Sequence, residues 1–269
     1  MGLLLLPFAL MVVLFALAPL AWVLVLSLRA EDGWSFARYA EVLGDRFFLD
    51  AFAMSLYLSW WSSVAGLIAA LFAAASLRRV PGRVQDAVVA FANMAGNLTG
   101  VPLAFAFMIL LGTNGTLTLL LREAGLAAGF DLYTREGLVL IYTYFQIPLA
   151  VLMLYPAFDG LDDDWSSAAA LLGASPRQYW RHVALPVLAP AVLGTFILLF
   201  ANAMGTYATT FALTQGNFNI VTVRIASLIA GDLFLEPELA AALAVLLTLL
   251  LVAVTILSQW LLRRRHDTR

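Results

Sequence analysis

Ser167-Ala168-Ala169-Ala170-Leu171-Leu172-Gly173, followed after nine residues by Val183-Ala184-Leu185-Pro186, is the stretch on which the reading of this chain turns. It is polar enough to lie outside a bilayer, yet long apolar segments flank it on both sides. Ala168 and Ala169 let a short helix lie close against a partner surface that bulkier side chains would hold off. Ser166 and Ser167 read as N-caps for the alanine run, and Gly173 as the glycine that ends it. Ser175-Pro176 then opens a second helix, serine at the cap and proline in the first turn, where a missing N–H costs nothing. That helix, Pro176–Val183, interleaves Arg177, Gln178, Arg181 and His182 with Tyr179 and Trp180, an interfacial pattern. Pro186 and Pro190 are read as breaking and restarting the chain.

The composition around this loop is that of a membrane protein. Hydrophobic residues make up 63% of the 269 residues, charged residues 12%, and mean hydropathy is +0.92, against roughly half apolar and a quarter charged in soluble domains. The apolar residues fall in runs long enough to cross a bilayer, which takes about 20 residues as a helix. The expected fold class is therefore all-α, with six transmembrane helices at Leu3–Leu28, Ala51–Leu77, Ala87–Leu111, Gly137–Phe158, Leu188–Leu213 and Leu239–Leu262. The first run lacks the basic start of a cleaved signal peptide and is read as a retained span. There is no cysteine, which excludes disulfides, thiolate metal sites and thiol catalysis. The net charge of -2 gives no footprint for nucleic acid.

Arginines set the expected topology. Arg78, Arg79 and Arg83, then Arg177 and Arg181, then Arg263, Arg264, Arg265 and Arg269 fall on one side. The other side holds Arg29, Arg38, Arg46, Arg122, Arg135 and Arg224, together with Glu31, Asp32, Glu41, Asp45, Asp50, Glu123, Asp131, Glu136, Asp232, Glu236 and Glu238. The positive-inside rule places both termini and the Ser167–Pro186 loop in the cytoplasm.

The pattern x-A-A-x-x-x-G-x9-[IV]-x-L-P at Ser167–Pro186, between spans four and five, resembles the EAA loop of permease subunits in ABC importers. Met54-Ser55-Leu56 and Gly100-Val101-Pro102 add to the likeness, which runs from about Asp50 to Leu262. The resemblance implies a MetI-like fold in three parts: a first helix and outer loop at 1–49, an importer domain at 50–262 with a coupling loop at 159–187, and a basic tail at 263–269. It further implies Ser167, Ala168, Ala169, Gly173, Val183, Leu185 and Pro186 as the residues that dock on an ATPase. The partners implied are two ATPase subunits, a second permease (a heterodimer rather than a homodimer), a periplasmic binding protein and the bilayer of a bacterial inner membrane. The chain looks closest to permeases of polyamine, iron, phosphonate and thiamine systems, so a small polar, polyamine-like solute is expected. One departure stands out: the family's usual acidic residue is Ser167 here, and the nearest carboxylates are Asp162, Asp163 and Asp164.

The apolar cores of the expected spans carry no charge, which argues against a proton-driven carrier. Two polar stripes follow helical spacing: Asn93, Gly96, Asn97 and Gly100 in the third span, and Asn202, Gly205, Thr206 and Thr209 in the fifth. Small and hydrogen-bonding residues of this kind serve helix contacts in lipid, or line a path. Asn202, Thr206, Tyr207, Asn93, Asn97 and Gln146 are the candidates for the path. No catalytic residue, cofactor or metal site is read: His182 and His266 have no partner at ligand spacing, and no Ser–His pair or paired carboxylates lie at membrane depth for an intramembrane enzyme. A channel or carrier working without ATP would also have six spans, but leaves the Ser167–Pro186 pattern unexplained.

Overall fold

The computed structural model describes residues 2–30, 33–78, 80, 82–125, 130–231 and 235–267, without the side chains of 2–5, 163 and 261–267. Glu31, Asp32, Arg79, Asp232 and Arg269, the side chain of Asp163 and those of Arg263, Arg264 and Arg265 lie outside the described residues. In chain order the helices are α1 (Gly2–Val12), α2 (Ala18–Ser27), α3 (Ala37–Gly44), α4 (Arg46–Leu77), α5 (Gly82–Asn97), α6 (Val101–Leu111), α7 (Thr116–Glu123), α8 (Arg135–Asp159), α9 (Asp163–Leu171), α10 (Pro176–Tyr179), α11 (Leu185–Met204), α12 (Ala208–Thr214), α13 (Val221–Ala230) and α14 (Pro237–Asp267). Wide π-turns at Val13–Leu17 and Trp180–Ala184 join α1 to α2 and α10 to α11, and a two-stranded hairpin pairs β1 (Arg29–Ala30) with β2 (Gly33–Trp34).

Six stretches are long and apolar enough to cross a membrane: Leu6–Ser27, Arg46–Leu77, Val101–Glu123, Arg135–Asp159, Pro176–Met204 and Pro237–Trp260. Four of these match the expected spans to within a few residues. The third does not. Ala87–Leu111 is not one helix, because the chain breaks at Leu98-Thr99-Gly100 between α5 and α6. Pro102 has no N–H to continue a helix, and Gly100 takes φ +72, a left-handed conformation that favours glycine.

The fifth expected span is corrected at both ends. Pro186 and Pro190 do not break the chain; helix runs from Pro176 to Met204, and the π-turn Trp180–Ala184 ends with Leu185 between it and Pro186. In that turn the Leu185 N–H donates to Trp180 O, five residues back, so the ladder is already widened just ahead of the proline that has no N–H to give. At the other end helix stops at Met204, and Gly205-Thr206-Tyr207 separates α11 from α12. The polar stripe Asn202–Thr209 therefore crosses a break, and the stripe Asn93–Gly100 ends at one.

The chain packs as two units, Met1–Ser55 with Gly216–Val254 and Leu56–Gln215 with Thr255–Arg269. In the first, Val42, Phe48, Leu239 and Leu243 form a small core. Ser55 Oγ accepts from the Val221 N–H at 3.0 Å, satisfying one orphan donor of α13. Arg224 donates to the carbonyls of Gly216 (3.0 Å) and Phe218 (3.1 Å) and lies over the Phe47 ring at 5.1 Å. Burial pushes its pKa below the usual arginine value. In the second unit the core gathers Ala70, Ala74, Ala150, Val151, Leu154, Phe158, Leu161, Ala184, Leu188 and Leu199. Gln146 is fully buried there, its amide donating to Ser62 Oγ (3.3 Å) and Ser63 Oγ (3.0 Å).

Candidate functional site: an exposed loop helix and a pocket at two helix breaks

Helix α9 starts earlier than the sequence suggests. Its N-cap is Asp162, whose carboxylate accepts from the Asp164 N–H at 2.9 Å. Ser166 and Ser167 lie inside the helix, so neither is its cap. Three consecutive aspartates precede the alanine run, any of which is a good cap by type, and Asp162 adds about one turn. The helix ends as expected. Gly173 has φ +80, its N–H donates to Ala170 O (3.0 Å), and Ala174 N–H reaches Ala169 O (2.9 Å), the paired bonds of a Schellman motif. A Cβ at Gly173 would meet nothing within 4 Å, so its conformation, not crowding, selects glycine. Ser175 then caps α10 in a capping box with Gln178.

What α9 does not do is pack. Among its described side chains none is buried, and at its end Leu171 is 90% exposed and Leu172 88%. A helix with no buried side chain among those described, ending at two leucines that are almost fully exposed, presents apolar surface suited to a second surface. Leu171 and Leu172 were visible in the sequence, but beside alanines and a glycine they read as ordinary helix residues. Of the residues expected to dock, Ser167, Ala168 and Gly173 are exposed, Ala169 and Val183 half-buried, Leu185 54% exposed and Pro186 half-buried. Ala184 between them is fully buried in the core of its unit, which anchors the loop's return.

The second feature is a cavity of about 420 Å³ where the breaks in the third and fifth spans meet, lined by Thr99, Gly100, Phe145, Asn202, Thr206 and Tyr207 among others. Broken helix leaves backbone groups without ladder partners, and side chains take them up here. Thr209 Oγ1 accepts from Gly100 N–H at 3.0 Å and donates to its carbonyl at 3.4 Å. The Tyr142 and Thr210 hydroxyls, both buried, share a hydrogen bond of 2.6 Å. Irregular backbone at membrane depth persists where it is buried in protein or lines a polar cavity. The cavity wall is neutral throughout: no lining residue is Asp, Glu, Lys, Arg or His.

The path candidates divide. Asn202, Thr206 and Tyr207 line the cavity. Asn93 and Asn97 do not; their amides bond back to Val89 O (3.0 Å) and Asn93 O (2.7 Å) on their own helix. Gln146 is also elsewhere, held against Ser62 and Ser63. Phe145, Thr99 and Gly100 were missed, since only the break turns them toward one space.

Comparison with known proteins agrees with this architecture. Residues 62–267 match the family described as "Binding-protein-dependent transport system inner membrane component". The chain is 27% identical over 231 residues to the thiamine transport system permease protein ThiP of Escherichia coli (strain K12), covering 85% of this chain and 42% of ThiP. It thus spans under half the length of that relative. It is also 27% identical over 263 residues to the trehalose transport system permease protein SugB of Mycobacterium tuberculosis (strain CDC 1551 / Oshkosh), covering 93% of this chain and 90% of SugB. In fold it resembles a chain of a bacterial ABC transporter that imports the acidic polysaccharide alginate, with TM-score 0.78 at 15% identity over 98% of this chain and 94% of the other. The match over most of its length, the six apolar stretches and the exposed loop helix lead to one assignment: the chain belongs to the binding-protein-dependent transport system inner membrane component family, the permeases of ABC importers.

Proposed function

We propose that this chain forms half of an import path and that α9, with the loop 159–187, docks on a separate ATPase subunit. The observation that carries the reading is the unpacked helix α9, with Leu171 and Leu172 almost fully exposed. Burying one leucine side chain yields about 1.5–3 kcal/mol, enough for a short helix to anchor a contact. The working assembly is two ATPase subunits, this permease and a second, different one, with a binding protein delivering solute outside. Sequence segment 1–49 serves as an accessory helix and outer loop, 50–262 as the importer domain and 263–269 as a cytoplasmic tail. The arginine distribution supports cytoplasmic placement of both termini and of the loop, in a bacterial inner membrane.

The solute is small and polar. Asn202, Thr206, Tyr207 and Thr99 offer neutral donors and acceptors and no carboxylate, so this wall has no counter-charges for the several ammonium groups of a polyamine. A neutral solute or a single diffuse cation, in contrast, can be met by hydroxyls, carbonyls and the rings of Tyr207 and Phe145. The relatives are named for thiamine and trehalose transport, which points away from the polyamine expectation. Pull-down from membranes with the tagged chain tests the assembly: an ATPase bearing a P-loop is expected to accompany it. Leu171→Asp with Leu172→Asp should abolish that capture while leaving membrane insertion intact. Unchanged capture by the double variant overturns the docking role.

A further inference from the structure

We propose that Arg78 is the positioning residue through which movement of α9 reaches the second span. The inference rests on the reading of α9 as the ATPase-docking element. Arg78 directly follows α4, and its guanidinium donates to the Leu161 carbonyl at 2.5 Å, across 83 residues of sequence. Leu161 occupies the turn between α8 and α9, one residue before the Asp162 cap. Its side chain is buried among Phe158, Ala184 and Leu188, so this turn joins the fixed core to the exposed helix.

Behind α9 lies a cavity of about 480 Å³, lined by Ala75, Phe158, Ser166, Ala170, Tyr179 and Trp180, with Arg78 in its wall. The inner face of α9 and the end of α4 thus border one cavity. Push or pull on such a helix passes through bonds at its ends. A charge-assisted hydrogen bond is short and directional, and it pins the pivot of α9 to the end of a 32-residue helix. Hinges of this sort absorb their rotation in a few residues at element ends.

The test uses the full chain in its assembled complex, comparing Arg78→Met and Arg78→Lys. Loss of a hydrogen bond to a charged group predicts a fall of about tenfold in solute moved per ATP hydrolysed in Arg78→Met. ATPase capture and basal hydrolysis stay within about twofold, and Arg78→Lys recovers most of the loss because it keeps a charged donor. A second arm needs no partner: in the purified chain, amide exchange over 160–166 should quicken in Arg78→Met while α8 and α11 are unchanged. Normal coupling in Arg78→Met overturns the proposal, as does exchange that quickens throughout the chain, which marks a general folding role. If wild type captures no ATPase, the docking reading fails, and the exchange arm still decides whether Arg78 holds the pivot.

Discussion

At the scale of single residues, Gly173 and Asp162 carry the shape of the loop helix, and each gives a distinct prediction. Gly173 has left-handed backbone with open space around it. Gly173→Ala should therefore weaken coupling through conformational strain of about 1 kcal/mol. Gly173→Asn should behave nearly as wild type, since asparagine tolerates that region. ATPase stimulation in reconstituted complexes checks the pair; equal effects of Ala and Asn would show that side-chain bulk at the partner surface decides instead. Asp162→Ala should remove the cap and about 1 kcal/mol of helix stability, read as faster amide exchange over the first turn of α9. Ser167→Ala should leave that turn unchanged, because Ser167 lies in the middle of the helix. The glycine was legible in sequence because left-handed geometry narrows the choice of residue. The cap was not, because Asp162, Asp163, Asp164, Ser166 and Ser167 are all competent and local sequence does not rank them.

At the scale of elements, the broken helices separate a hydropathy reading from the fold. An apolar run over Ala87–Leu111 reads as one span because averaging hides Gly100 and Pro102 inside it. The same averaging hides Gly205 in Leu188–Leu213. What makes the breaks stable is pairing between them: Thr209 serves both backbone groups of Gly100. Thr209→Val keeps the shape and removes both bonds, leaving the half-buried Gly100 N–H without its partner, at a cost toward the lower end of about 1–3 kcal/mol. Thr209→Ser should retain most of the stability. Thermal unfolding in detergent distinguishes them; equal melting of the valine and serine variants would mean that the bonds to Gly100 contribute nothing. Gly100→Val should be worse than either, because a β-branched residue resists φ +72; crowding is not the cause, since the Ala208 Cβ would lie 3.6 Å from an added Cβ, an ordinary contact distance.

At the scale of the whole molecule, the cavity at the breaks asks what covers it. It is bordered by Asn202, Thr206 and Tyr207, and Asn202 is exposed. Polar groups facing hydrocarbon are costly because lipid offers no hydrogen bonds. A face bearing an amide, two hydroxyls and irregular backbone therefore suits water or another protein surface, not acyl chains. The sequence holds no cysteine, so a thiol introduced into it is its one reporter, read on this chain's own band after the labelled complex is taken apart. Asn202→Cys is expected to react with a membrane-impermeant maleimide in the assembled complex, and to react more slowly when ATP binding or solute changes the path. Ile109→Cys, on an apolar helix and 71% exposed, should stay unreactive in both states, as a residue in lipid would. Protection of Asn202→Cys equal to that of Ile109→Cys under every condition would place the cavity against lipid or a sealed interface, and Asn202 would lose its place in the path.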